Sequence, residues 1–102
     1  MTSPGGKGEI TKGSIIVATK DQVSSDLAGE TVVLSMQSAM YYGLDQVGSR
    51  VWELVREPIR VSEILAAIMG EYDVDADQCE ADVLGFVREL AAKGLIEVRD
   101  GA

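Results

Sequence analysis

The sequence of 102 residues contains no histidine and a single cysteine, Cys79. Histidine is the most common general base and metal ligand near neutral pH, so its absence removes most hydrolytic and metal-dependent chemistry. One cysteine without histidine can form neither an internal disulfide nor a zinc site nor a Cys-His nucleophile pair. The sequence therefore predicts a non-enzymatic protein with no metal and no cofactor, located in a reducing compartment, the cytoplasm.

Long apolar runs are also absent. No segment approaches the roughly 20 consecutive apolar residues that cross a bilayer, so no membrane partner is expected. The first residues lack the apolar region of a secretory signal. The glycine-rich run at residues 5–8 lacks the strand and helix that flank a phosphate-binding loop, so no nucleotide site is predicted.

Positive charge is scarce. Nine lysines and arginines stand against 17 aspartates and glutamates, which gives a formal net charge of −8. The segment from Glu71 to Asp82 holds six acidic residues and no basic residue. Such a surface repels a phosphate backbone, so nucleic acid is not an expected partner. The acidic run at residues 73–77 lacks the glycine and the glutamate of a calcium loop and is interpreted as a helix cap with a solvated face.

The chain has the length of one compact domain. Residues 1–13 contain four glycines, one proline and no periodicity, which predicts a flexible N-terminal tail. The folded domain is expected at residues 14–98, and a short C-terminal tail at residues 99–102. The domain therefore has room for one core and no second lobe.

Runs of β-forming residues predict three strands in the first half of the chain. They are residues 14–18, 31–36 and 40–44. Residues 37–39 have the right length for a hairpin turn between the last two strands. Residues 21–30 are interpreted as a polar connection that contains glycine.

Apolar residues recur at helical spacing in the second half and predict three helices. Asp45 and Asp75 are placed to cap the first and third helices. Gln78 is expected to reach back to the cap of the third helix, as in a capping box. Gly94 suits the left-handed residue that ends this helix, and residues 95–98 predict a last short strand. The expected fold is α+β and winged helix-turn-helix-like, with a three-stranded antiparallel sheet packed on three helices.

Two features of the predicted fold could serve to bind a ligand: the adjacent tyrosines of the third strand and the apolar stripe of the third helix. Adjacent strand residues point to opposite faces, so one of Tyr41 and Tyr42 is expected to face outward, as a cross-strand filler or as a ligand contact. The apolar stripe of the third helix spans about 160°, wider than the roughly 100° that a surface helix needs to face its core. Its excess could face a strand, a dimer partner or a bound peptide. Cys79 lies on this stripe and is predicted to be a buried structural thiol.

The order of these residues resembles the PqqD-like family. The resemblance covers residues 14–98, and Asp45 stands where the family usually has asparagine, which caps a helix equally well. The residues that carry it are Tyr41-Tyr42-Gly43-Leu44-Asp45-Gln46-Val47-Gly48, Val51-Trp52-Glu53-Leu54, Val61-Ser62-Glu63-Ile64, Tyr72, Asp82-Val83, Phe86, Leu90 and Gly94-Leu95-Ile96.

The resemblance implies a recognition element for ribosomally synthesised and post-translationally modified peptides (RiPPs). Members of the family bind the leader segment of the precursor peptide as a further strand beside the third strand and against the third helix. Stand-alone members occur in lasso-peptide pathways with a separate leader peptidase, and others serve radical-enzyme pathways, including pyrroloquinoline quinone maturation. Carried onto this sequence, the pairing strand is Met40, Tyr41, Tyr42, Gly43 and Leu44, and the helical wall is Asp82, Val83, Phe86, Val87 and Leu90.

Three other functions share parts of this pattern. A winged-helix transcription regulator would need a basic recognition helix, but residues 77–93 carry four acidic residues against two basic ones. A small enzyme is disfavoured by the missing histidine. A homodimer that pairs its own open strand edge remains an alternative to a leader-binding protein. The sequence thus predicts a leader peptide and a partner leader peptidase or modifying enzyme as the binding partners.

Overall fold

The computed structural model describes residues 10–27 and 30–99. Within these ranges the chain forms three helices and six strands, which confirms the predicted α+β class with three helices. In chain order the elements are β1 (Ile15–Ala18), β2 (Gln22–Leu27), β3 (Glu30–Ser35), β4 (Tyr41–Leu44), α1 (Gln46–Leu54), β5 (Ile59–Arg60), α2 (Val61–Glu71), α3 (Ala76–Ala92) and β6 (Ile96–Val98).

The strands form two three-stranded antiparallel sheets, where the sequence predicted one. One sheet has the order β5-β1-β6 and the other the order β2-β3-β4. β2 lies within residues 21–30, which the sequence analysis interpreted as a connection. Its residues pair with β3 from Gln22 opposite Ser35 to Leu27 opposite Glu30. The sequence pattern did not reveal it because none of its side chains is fully buried, so no clean apolar alternation marks the strand.

The helix starts follow their capping residues. The backbone N–H of Gly48 donates to Asp45 Oδ1 at 2.7 Å, and the N–H of Gln78 donates to Asp75 Oδ2 at 3.1 Å. The predicted capping box of α3 is wrong in its second half. The side-chain amide of Gln78 donates forward to the Asp82 carboxylate at 2.9 Å, one turn along the helix. In the predicted capping box, the Gln78 side-chain oxygen would accept from the neutral backbone N–H of Asp75. Donation to the charged Asp82 carboxylate is a stronger hydrogen bond, which explains the difference.

α3 ends as predicted. Gly94 adopts a positive φ of 75°, which L residues with a side chain rarely adopt. The N–H of Leu95 donates to the Leu90 carbonyl at 2.9 Å, and the N–H of Gly94 donates to the Ala91 carbonyl at 3.0 Å. These two bonds are the Schellman pattern, and they turn the chain into β6 beside β1.

The packed core includes Ile10, which lies within the N-terminal tail of residues 1–13 that the sequence predicted. Ile10 is fully buried, and its carbonyl accepts hydrogen bonds from the Arg88 guanidinium at 2.8 and 3.1 Å. Ile10 is a single apolar residue in a polar, glycine-containing segment. It therefore belongs to no periodic apolar pattern that could indicate its burial. At the other end, the N–H of Arg99 donates to the Ile15 carbonyl at 2.6 Å. The rest of the two predicted tails, residues 1–9 and 100–102, lies outside the described residues.

Candidate peptide-binding groove

β4 forms an open edge of its sheet in the described part of the chain, because it pairs with β3 on one side only. The N–H of Ser35 donates to the Met40 carbonyl at 2.9 Å, so these two residues form a hydrogen-bonded pair. Such pairs alternate along an antiparallel ladder. The backbone of Tyr42 is therefore directed toward β3, whereas the N–H and C=O groups of Tyr41 and Gly43 point to the open side.

A groove runs between this open edge and α3. Its first part is a cavity of about 340 Å³, and its second is a cavity of about 410 Å³ that reaches α1 and α2. Gly43, Leu44 and Phe86 line both cavities, so the two adjoin and are named together the β4–α3 groove. The first cavity is also lined by Tyr41, Tyr42, Glu89, Leu90 and Lys93, and the second by Asp45, Val47, Gly48, Val51, Ile68, Val74, Gln78, Cys79, Asp82 and Val83.

The structure brings most of the predicted site residues to this groove. All of them line it except Met40 and Val87. Met40 immediately precedes β4 and is 53% exposed. Val87 is fully buried and belongs to the core, so the structure does not bring it to the groove. Val87 follows Phe86 by 100° around the helix, which is enough to turn its side chain from the groove into the core.

Sequence reasoning missed the contribution of the first two helices to the groove. Val47, Gly48 and Val51 of α1 and Ile68 of α2 line the second cavity. Val47, Val51 and Ile68 belong to the apolar residues that recur at helical spacing, and Val51 and Ile68 are also part of the core. No local signal in the sequence could distinguish a residue that only packs in the core from one that also lines the groove, because the cavity exists only where α1 and α2 pack beside α3.

Few charged side chains border the groove, and those of Lys93, Glu89 and Asp82 each contact a neighbouring side chain. Lys93 Nζ lies 5.3 Å from the centroid of the Tyr42 ring and 3.6 Å from the Glu89 carboxylate. At the other end, the Asp82 carboxylate accepts from Gln78. Burial, together with the nearby Asp82 charge, raises the pKa of the Cys79 thiol. The thiol therefore stays protonated near neutral pH and acts as a small apolar group that lines the groove.

Two observations limit other uses of the described residues. Across residues 10–27 and 30–99, no helix is both long and apolar enough to cross a membrane. Over the same ranges, no group of three or more acidic or cysteine side chains is arranged to hold a metal ion.

Solved structures of three other proteins share this fold. The first is TbiB1 in complex with the TbiA(β) leader peptide; it is 43% identical, covers 79% of this chain and 94% of its own, and has a TM-score of 0.74. A lasso peptide synthetase B1 complexed with the leader peptide is 16% identical, with coverages of 79% and 95% and a TM-score of 0.70. The PqqD truncation of Methylobacterium extorquens PqqCD, a stand-alone RiPP recognition element, is 23% identical, with coverages of 86% and 94% and a TM-score of 0.71.

The family assignment follows from a match to a family of sequences and from the likeness to TbiB1. No curated protein sequence matches significantly. Residues 30–96 match the family described as Coenzyme PQQ synthesis protein D (PqqD). This match spans the β2–β3–β4 sheet from β3 onward and all three helices, and the likeness to TbiB1 extends over most of both chains. The resemblance seen in the sequence is therefore confirmed, and the chain belongs to the PqqD family.

Proposed function

We propose that this protein binds the leader segment of a ribosomally synthesised precursor peptide and presents it to a partner leader peptidase or modifying enzyme. The peptide adds as a strand beside β4, with alternate side chains in the β4–α3 groove. The observation that carries this proposal is the open edge of β4 along a groove whose far wall is α3 and whose second cavity is mainly apolar. The 43% identical TbiB1, which was solved with a leader peptide, supports it.

The pathway and the cellular setting are part of the same proposal. The likeness to TbiB1 and to a lasso peptide synthetase B1 favours lasso-peptide biosynthesis over a pathway of the pyrroloquinoline quinone type. We assign the protein no catalytic step of its own, because the groove is lined mainly by backbone and apolar side chains and the Cys79 thiol within it stays protonated. Its free cysteine suits the reducing cytoplasm, where precursor peptides are synthesised.

The energetics of such a site are sufficient for specific binding. Each main-chain hydrogen bond between peptide and β4 contributes roughly 0.5–1.5 kcal/mol. Each apolar side chain buried in the groove adds about 1.5–3 kcal/mol. Against roughly 4–15 kcal/mol for association and ordering, a few of each give micromolar to nanomolar affinity.

The first test is a titration with the cognate leader peptide, which should bind saturably with a Kd in the micromolar range or below. A scrambled leader peptide is the control for composition. Duplex DNA at physiological salt should not compete, because the charges of α3 are mainly acidic. Competition by DNA without leader binding would favour a transcription regulator, and a leader-insensitive dimer on gel filtration would favour self-pairing of β4.

The outer face of the β2–β3–β4 sheet is the surface that we assign to the partner enzyme. Val23, Leu34 and Tyr41 lie opposite one another on this face, and Met36 and Leu27 are large exposed residues of the same sheet region. Val23 is 55% and Tyr41 71% exposed. Contiguous exposed apolar side chains are typical of interaction sites. A peptide strand added at β4 would extend this sheet, so a partner that packs here could contact protein and peptide together.

Acidic residues border this face at Asp21 and Glu30, and both are exposed. Pairing of two such faces would bring like charges together, so a different protein with a basic rim fits better than a second copy. The double variant Val23→Thr, Met36→Gln should lose partner-enzyme affinity by roughly tenfold or more. It should keep its leader affinity, because neither residue lines the groove.

The matched control for this double variant is Met69→Gln, which changes an exposed methionine on α2. The partner is the purified leader peptidase from the gene cluster of the precursor, and calorimetry measures both affinities. Unchanged affinity of the double variant for the peptidase would place the docking surface elsewhere.

A further inference from the structure

Phe86 stands between the two parts of the β4–α3 groove. Within α3, which the structure describes in full, it is the only residue that lines both cavities. Its side chain is half-buried, so one side of the ring packs on the protein and the other faces the groove. The position of this ring therefore sets how the apolar space of the groove is divided.

The ring rests against a glycine at the start of α1. Gly48 is buried, and a Cβ atom added there would lie 3.3 Å from Phe86 Cζ, 3.1 Å from Asp45 Oδ1 and 3.5 Å from Leu44 Cβ. The helical glycines Gly70 and Gly85 differ, since an added Cβ would meet no atom of the described residues within 4 Å. Of these three helical glycines, Gly48 alone is required by a close contact.

We propose that Gly48 is a positioning residue for peptide selection. Because Gly48 has no side chain, the tip of the Phe86 ring can lie against the N-terminus of α1. The groove then keeps space on both sides of the ring, next to Leu90 in the first cavity and Val83 in the second. This inference rests on the proposed function. The ligand that fits is an extended peptide with two apolar side chains on one face, one on each side of Phe86. Alternate residues of a strand lie about 7 Å apart, which is enough to straddle an aromatic ring.

A methyl group at position 48 would displace the ring. The contact at 3.3 Å is tight, so the ring must shift by a few tenths of an ångström or leave its favoured rotamer. Either movement reduces the space on one side of Phe86. The affinity for a peptide with bulky apolar anchors should then fall, although Gly48 itself makes no contact through a side chain.

The experiment is a double-mutant cycle on the affinity for the cognate leader peptide. Gly48→Ala is measured in the wild-type background and in Phe86→Leu, whose shorter side chain no longer reaches position 48. We expect Gly48→Ala to raise the Kd about three- to tenfold beside Phe86 and less than about twofold beside leucine. Gly85→Ala, one residue before Phe86 on the exposed side of α3, is the matched control and should leave the Kd unchanged in both backgrounds.

An equal loss of affinity in both backgrounds would overturn the proposal, because the methyl group would then act through the Asp45 cap or the helix and not through the ring. No loss in either background would overturn it as well. Failure of the wild-type protein to bind the leader would instead refute the proposed function.

A second measurement needs no variant. Nuclear Overhauser effects from the Phe86 ring to the Gly48 Hα atoms should be present in the free wild-type protein, and the Phe86 ring resonances should shift on leader addition. If these contacts are absent, or if the Phe86 ring resonances do not shift when the leader peptide is added, the proposal is overturned even if Gly48→Ala fails to fold.

Discussion

Replacing Gly43 by proline is expected to weaken leader binding by roughly tenfold or more while the protein stays folded. The N–H of Gly43 points to the open side of β4, so proline removes a donor to the peptide and no bond to β3. Proline leaves a peptide carbonyl without its donor, and an unsatisfied buried carbonyl costs about 1–3 kcal/mol. A Cβ atom added at Gly43 meets no atom within 4 Å apart from its chain neighbours, so a side chain at this position has open space.

Three further variants separate backbone pairing from side-chain effects. Tyr41→Pro removes the other outward N–H of β4 and should also weaken binding. Gly43→Ala keeps the N–H and should lose far less affinity than Gly43→Pro. Tyr42→Pro breaks a β3–β4 ladder bond and should lower the stability of the protein itself. Affinities come from fluorescence anisotropy and folding from circular dichroism; folded proline variants at positions 41 and 43 with wild-type affinity would place the peptide away from β4.

Truncating Phe86 to alanine should reduce leader affinity by about 2 kcal/mol or more, which is roughly a 30-fold rise in Kd. Phe86 lines both cavities of the groove and is half-buried, so an incoming peptide can cover its exposed part. Its neighbour Val87 is fully buried in the core. Val87→Ala should therefore lower the free energy of unfolding by roughly 1–3 kcal/mol and change leader affinity little in the folded protein.

The two variants need denaturant melts and leader titrations at a temperature where both are folded. Val83 offers an intermediate case, since it is 3% exposed and lines the second cavity, so its truncation should affect stability more than binding. If Phe86→Ala loses stability but keeps full affinity, the peptide lies along another edge of the helix, near Leu84 and Ala91.

Local signals predicted the elements that depend on neighbouring residues. The caps at Asp45 and Asp75, the left-handed Gly94 and the β3–β4 hairpin all follow from residues a few positions apart. β2 was missed because an exposed, polar strand is stabilised by its pairing with β3 and leaves no apolar pattern. The forward bond of Gln78 to Asp82 shows that a local motif also depends on the other partners that a side chain finds within one helical turn.

The sequence by itself determined the family of this protein. The ordered residues from Tyr41 to Ile96 indicate the PqqD family, and the missing histidine, lone cysteine and acidic charge underlie the predictions of a binding protein and of a partner other than nucleic acid. These properties depend on composition and order alone.

The tertiary structure decided where a ligand can bind. The sheet order leaves β4 at an edge, the register turns the backbone of Tyr41 and Gly43 outward, and the packing of α1 against α3 brings Gly48 to the ring of Phe86. A groove consists of space between elements distant in sequence. Its shape therefore depends on how their side chains pack, which no periodicity along a single element records.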